Sequence, residues 1–167
     1  FRFAFPRSLA VSMQGELFVV DNEHRRVLKL DSQYQPSASF ADFDWGEGGL
    51  LDPGQCALDD QDRLYVCDMT NQAIMVYDYF CNFLYPIRHP ELEAPSGIAL
   101  WKNRLLVVGD LTSASLFFFS LEGAFQGRFG SSGEKYGAFR HISDLATVGD
   151  RLYVSELENH RIQVFEL

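Results

Sequence analysis

Little in this sequence advertises chemistry. Its 167 residues hold three cysteines, Cys56, Cys67 and Cys81. An odd number cannot all pair within the chain, and their spacing fits no common zinc or redox motif, so they read as buried or incidental thiols. Basic residues are also scarce, with 14 Lys and Arg against 23 Asp and Glu and a formal charge of −9. Affinity for nucleic acid comes mainly from Lys and Arg neutralising phosphates, so no nucleic-acid partner is expected. No apolar run reaches the roughly 18 to 20 residues of a membrane-spanning helix, and no basic stretch leading into an apolar one opens the chain. No direct membrane span is expected. A 3.6-residue apolar period never holds over three turns, which removes long amphipathic helices. A Gly-x-Ser-x-Gly elbow, a phosphate-cradling glycine loop and a Cys/His nucleophile pattern are likewise missing. The chain opens on Phe1 rather than Met, and the expectation is an excerpt or a processed product.

What the chain has in quantity is 15 Phe and 7 Tyr beside 13 Gly. Aromatics suit half-buried pleated surfaces and glycines suit the turns between them, so the composition leans all-β. Self-similarity organises it further. Phe-Pro-Arg-Ser-Leu-Ala-Val from Phe5, Asp-Pro-Gly-Gln-Cys-Ala-Leu from Asp52, Ala-Pro-Ser-Gly-Ile-Ala-Leu from Ala94 and His-Ile-Ser-Asp-Leu-Ala-Thr from His141 share an alanine at 10, 57, 99 and 146. A second block follows as Leu-Phe-Val-Val-Asp at Leu17, Leu-Tyr-Val-Cys-Asp at Leu64, Leu-Leu-Val-Val-Gly at Leu105 and Leu-Tyr-Val-Ser-Glu at Leu152. A third begins at Arg26, Ala73 and Arg161, with Leu116-Phe-Phe-Phe arriving one residue late in the third unit.

Each block is a short apolar, β-branched or aromatic run bounded by Gly, Asn, Asp or Pro, and so reads as a strand. The links from first to second block have hairpin length. Ala124-Phe-Gln-Gly-Arg-Phe signals a fourth strand, echoed by Phe83-Leu-Tyr and Ser39-Phe-Ala-Asp-Phe. A four-stranded antiparallel meander repeated every forty-odd residues is the blade of a β-propeller. The expected blades are residues 5–48, 49–92, 93–138 and 139–167, the last one incomplete.

Leu152-Tyr-Val-Ser-Glu-Leu-Glu-Asn-His-Arg-Ile-Gln-Val-Phe resembles the signature of NHL repeats, an Asp-x-x-Asn-His-Arg string after a Leu-Tyr-Val strand. Pro95-Ser-Gly-Ile-Ala and the glycine-rich passage from Gly123 to Gly133 resemble that family's opening and link. The third unit departs from it, with Gly109 where Asp is expected, and the fourth has Glu156 in place of Asp. The resemblance implies a six-bladed ring. At about 45 residues per blade such a ring needs on the order of 270 residues, so the arc would be completed by missing chain or by another subunit.

The recurring acids Asp21, Asp68 and Glu156, with Arg26 and Arg161, look like paired charges. Residues repeated once per blade generally build the blade, because a catalytic site breaks a repeat rather than following it; these five are read as structural. From Asp31 to Asp62 eight acids occur with no Lys or Arg, and Asp42, Asp44, Glu47, Asp59, Asp60 and Asp62 are candidates for an acidic contact surface. The Asp59-Asp60-Gln61-Asp62 cluster offers oxygen ligands for Ca²⁺, but it lacks EF-hand spacing and sits at a hairpin, where Asp is a good turn residue. His24, His89, His141 and His160 show no metal-binding spacing. Phe117, Phe118 and Phe119 cannot all face one side of a strand, so either both faces are covered or one Phe marks a contact surface.

The expected function is a non-catalytic NHL-type propeller that binds a protein partner or acts as a scaffold, without catalytic residues, cofactor or metal. The alternative, implied by the lyase branch of the fold, is a Zn- or Ca-dependent lyase or hydrolase with its site on the propeller axis. The resemblance also implies an extracytoplasmic location.

Overall fold

A computed structural model describes residues 2–42 and 46–167. The first blade is built of β1 (Pro6–Val11), β2 (Leu17–Asp21), β3 (Arg26–Leu30) and β4 (Pro36–Phe40), and the second of β5 (Pro53–Leu58), β6 (Leu64–Asp68), β7 (Ala73–Tyr77) and β8 (Phe83–Ile87). The third comprises β9 (Pro95–Trp101), β10 (Leu105–Asp110), β11 (Ser115–Ser120) and β12 (Phe125–Phe129), and the fourth β13 (Ile142–Val148), β14 (Arg151–Glu156) and β15 (Arg161–Glu166). Every sheet is an antiparallel meander with strands in chain order, four-stranded three times and three-stranded in the last blade. The fold is therefore an all-β propeller of four blades. Among the described residues no helix is long and apolar enough to cross a membrane.

β1 packs on β5, β5 on β9 and β9 on β13, so the first strands of successive blades lie side by side and line the axis. Alternation along each strand sends side chains to both faces of a blade, and both faces are used. Phe18, Val20 and Val27 of the first blade meet Cys56, Leu64, Val66 and Met75 of the second. Tyr65, Cys67, Ile74 and Val76 leave the second blade's other face for Ile98, Leu106, Phe117 and Phe119. Ala99, Val107 and Leu116 then meet Leu145, Leu152 and Val154. Burying one such side chain is worth about 1.5–3 kcal/mol, so the three inter-blade layers hold the arc. Phe118 packs against the third layer while Phe117 and Phe119 sit in the second. Blades cover both faces of β11.

Two details of register differ from expectation. Asp110, not Gly109, pairs across from Ser115, in the place that Asp68 takes opposite Ala73 and Asp21 opposite Arg26. The second block of the third unit therefore begins at Leu106, and the apparent lateness of Leu116 disappears. Gly109 instead stands where Val20 and Cys67 do, and a Cβ on it would lie 2.6 Å from Cγ2 of Ile142. Glycine there lets the fourth blade approach closely. The other difference is β4, which runs over Pro36–Phe40 rather than from Ser39 onward.

Candidate functional site

The recurring acid ends the second strand of its blade, and in each case its carboxylate accepts backbone amides from the segment that leads into the first strand. Asp21 takes Ala4 and Phe5, both at 3.0 Å; Asp68 takes Leu51 at 2.7 Å and Asp52 at 3.1 Å. Asp110 takes Glu93 at 2.8 Å and Ala94 at 2.6 Å, and Glu156 takes Arg140 at 2.8 Å. The next residue closes the same link through the backbone, as in Asn22 N–H to the Phe5 carbonyl and Met69 N–H to that of Asp52. All four acids are buried. Each is an amide latch, and Asp110 is the member that matching motif strings alone misses.

Three residues beyond the acid stands a second partner. It is Asn159 for Glu156 at 2.6 Å and His24 for Asp21 at 2.7 Å, while the backbone amides of Asn71 and Ser113 serve Asp68 and Asp110. His24 thus fills the asparagine place of the first blade. The following residue adopts a left-handed conformation in every blade, at Arg25, Gln72, Ala114 and His160; His160 is a turn residue. Arg161 donates to Glu156 at 2.7 Å and to the carbonyls of Lys135 and Ala138, whereas Arg26 reaches Asp21 at 3.4 Å and the Arg2 carbonyl. Burial alone would raise the Asp21 and Glu156 carboxyls. The Phe5 amide and His24 in one case, and Arg161 and the Arg140 amide in the other, outweigh it and hold both below the usual carboxylate range.

The candidate acidic surface does not form one surface. Asp59 is buried against Arg63 Nε at 2.6 Å, accepts the Gln61 and Arg63 amides and lies 3.1 Å from the Tyr65 hydroxyl. Asp62 is also buried, within reach of the Met13 amide. Both belong to the hairpin, because a tight turn leaves amides that a carboxylate satisfies better than water. Asp60 and Glu47 are exposed and Asp42 is half-buried. Asp60 lies in the turn from β5 to β6, at one end of the strands, and Asp42 and Glu47 lie in the link after β4, at the other. Asp44 lies outside the described residues.

At the axis, Arg7, Gly54, Gln55, Ser96 and Ser143 from the four first strands, with Met69, Leu111, His141 and Leu157 above them, line a cavity of about 270 Å³. Ser8 Oγ donates to Gln55 Oε1 at 2.9 Å and Ser96 Oγ to the Ile142 carbonyl at 3.0 Å, tying neighbouring first strands together. Of the four histidines only His141 reaches this cavity. His89 stacks on Phe125 with centroids 4.1 Å apart, far from the axis on the third blade's outer strand. Among the described residues no three His, Cys, Asp or Glu side chains converge as metal ligands. The donor set at the axis does not fit a zinc or calcium ion. All three cysteines are free and buried; burial, eased by the Ser8 hydroxyl, pushes the Cys56 thiol up to about 11, and burial raises Cys67 and Cys81 too. Each is thereby held further toward its thiol form at neutral pH.

Blades of this construction define a class, the β-propellers. The NHL repeat model matches residues 139–165, the fourth blade, and the other three blades carry the same latch. No curated protein sequence matches it. Among solved structures it is similar to hydrazine synthase of Kuenenia stuttgartiensis, with a TM-score of 0.77 at 14% identity, over 99% of this chain and 47% of that one. It is also similar to virginiamycin B lyase from Staphylococcus aureus, with a TM-score of 0.73 at 13% identity, over 97% of this chain and 55% of the other. At such identity the likeness concerns the fold. The chain spans about half the length of the structures it matches.

Proposed function

We propose that this propeller is a non-catalytic module that docks another protein through its loop-bearing ends, as an accessory or scaffold part of a larger extracytoplasmic assembly. One observation carries the reading: the charged residues that recur in every blade are consumed in holding that blade, from Asp21 with His24 and Arg26 to Glu156 with Arg161. What remains for a partner is carried on loops: Asp60 stands exposed at the end that also carries Met13, Tyr34 and Phe80, and Glu47 at the opposite end. Neither the six-bladed count implied by the family nor the location is needed for this function. The lyase or hydrolase alternative needs a ligand set at the axis, and His141 stands there without a second histidine.

Cross-linking and mass spectrometry on cells producing the protein should return one partner whose cross-links map to the loop ends. Asp60→Asn should weaken that complex and lessen its salt dependence if the partner sits on the β5–β6 end, and Asp42→Asn with Glu47→Gln if it sits on the other. Unchanged binding in both variants removes the electrostatic part. Stoichiometric zinc or calcium in the purified protein, with turnover lost on chelation, overturns the non-catalytic reading.

A further inference from the structure

The turns that join the third strand of a blade to its fourth are built to one plan. The first residue of each caps the amide four places on, Asp31 that of Gln35, Asp78 that of Asn82 and Ser120 that of Ala124. The fourth residue is left-handed in all three, at Tyr34, Cys81 and Gly123. Between them the third residue is Gln33 in the first blade and Glu122 in the third, but Phe80 in the second. Phe80 is 79% exposed. The turn does not require it, since Gln33 and Glu122 close the same turn. An exposed ring that breaks a repeat without a gain in structure marks a contact.

The ring is held ready. Tyr79 meets it edge-on, with centroids 5.3 Å apart. Tyr79 is fixed in turn: its hydroxyl donates to Glu16 Oε1 at 3.3 Å, and the buried Lys29 lies with Nζ 3.7 Å from its ring centroid, donates to its carbonyl and pairs with Glu16 at 3.2 Å. Met13, 82% exposed, stands in the turn that holds Glu16, with its amide within reach of Asp62. Charge around these apolar groups is of one sign. Asp60 is exposed and Asp78 half-buried, and among the described residues neither pairs with a Lys or Arg, because Lys29 is taken by Glu16 and Arg63 by Asp59. The second blade is enclosed by a neighbour on each face, so no further blade would cover its turns.

We infer that this end of the first two blades docks a basic segment of a partner protein, one that carries apolar side chains among its Lys or Arg. The inference rests on the docking reading above and names the partner's chemistry. Phe80 and Met13 supply the apolar anchor and Asp60 and Asp78 a negative rim; the anchor gives affinity and the charges select the partner. A ring already positioned by Tyr79 loses little freedom on binding.

Fluorescence anisotropy with a labelled helical peptide of lysine and leucine tests this. The protein should bind it, and Phe80→Ser, at an exposed position that is polar in the other blades, should weaken binding about 10-fold. Asp60→Asn with Asp78→Asn, which keeps an oxygen for the turn amides, should weaken it about 10-fold and reduce its salt dependence. Serine in place of the peptide's leucines should cost as much as Phe80→Ser, while Asp42→Asn with Glu47→Gln at the opposite end should change nothing. Binding indifferent to Phe80→Ser, or weakened equally by the changes at the opposite end, overturns the inference, because a negative protein attracts any cation. A dimer of the chain that Phe80→Ser dissociates also overturns it, by placing a second copy on this face. A partner cross-linked in cells only at the Glu47 end overturns this inference and leaves the docking reading standing, whereas the absence of any cross-linked partner overturns both.

Discussion

Glu156 condenses the logic of the repeat into one side chain. It accepts from the Arg140 amide, Asn159, Arg161 and Gln163, with its own carboxylate wholly withdrawn from solvent. A buried acid so placed is stable only while ionised, and its folded-state pKa is lowered from 4.5. The stabilisation is therefore complete above the ordinary carboxylate value and lost as pH falls through the lower, folded one. Glu156→Gln should cost about 2–3 kcal/mol at neutral pH by leaving Arg161 without its charge partner. Denaturant melts between pH 3 and 7 should show a shallower acid limb in the variant, and an unchanged limb would place the acid sensitivity elsewhere. That Asp21, Asp68 and Glu156 recur in phase was legible in the sequence. Their partners were not, since the amides of Leu51 or Ala94 leave no mark in a string of letters. Asp59 shows the reverse limit: a run of acids looks like a surface until Arg63 and the turn amides close around its first member.

At the scale of the element, strands were readable wherever apolar residues ran in short bounded blocks, and the one misplaced register has a physical source. Leu105 continues the apolar run of β10 by one residue at its start, so string matching aligned the block too early; the latch and the pairing of Asp110 with Ser115 fix it. This makes Gly109 a packing residue rather than a lost acid. Gly109→Ala would press a methyl into Ile142 and should cost about 1–3 kcal/mol. Ile142→Val in the same chain should recover part of that loss by trimming the facing side chain, measured as the midpoint of urea unfolding; equal stability of Gly109→Ala and the parent would show that the third layer has slack. β4 was the least legible strand because only Phe40 of its five residues is buried, which leaves little apolar alternation to read.

For the whole molecule, blades stacked through nearest-neighbour layers behave as a nearly one-dimensional array. The second blade is covered on both sides, and every residue of β6 and β7 is buried, whereas β13 and β15 alternate buried and exposed. Amide hydrogen exchange should accordingly find the greatest protection in β6, β7 and β10 and less in β13 and β15; uniform protection would mean that the arc opens only as a unit. The latches add a consequence of their own. In all four blades the acid and the amides it holds from the segment leading into the first strand are 16 or 17 residues apart, although the shared alanines recur at 47, 42 and 47. The variable lengths are thus confined to stretches that no latch spans. Each latch closes over the first two strands of its blade alone, so a segment added between one latch and the next lengthens neither.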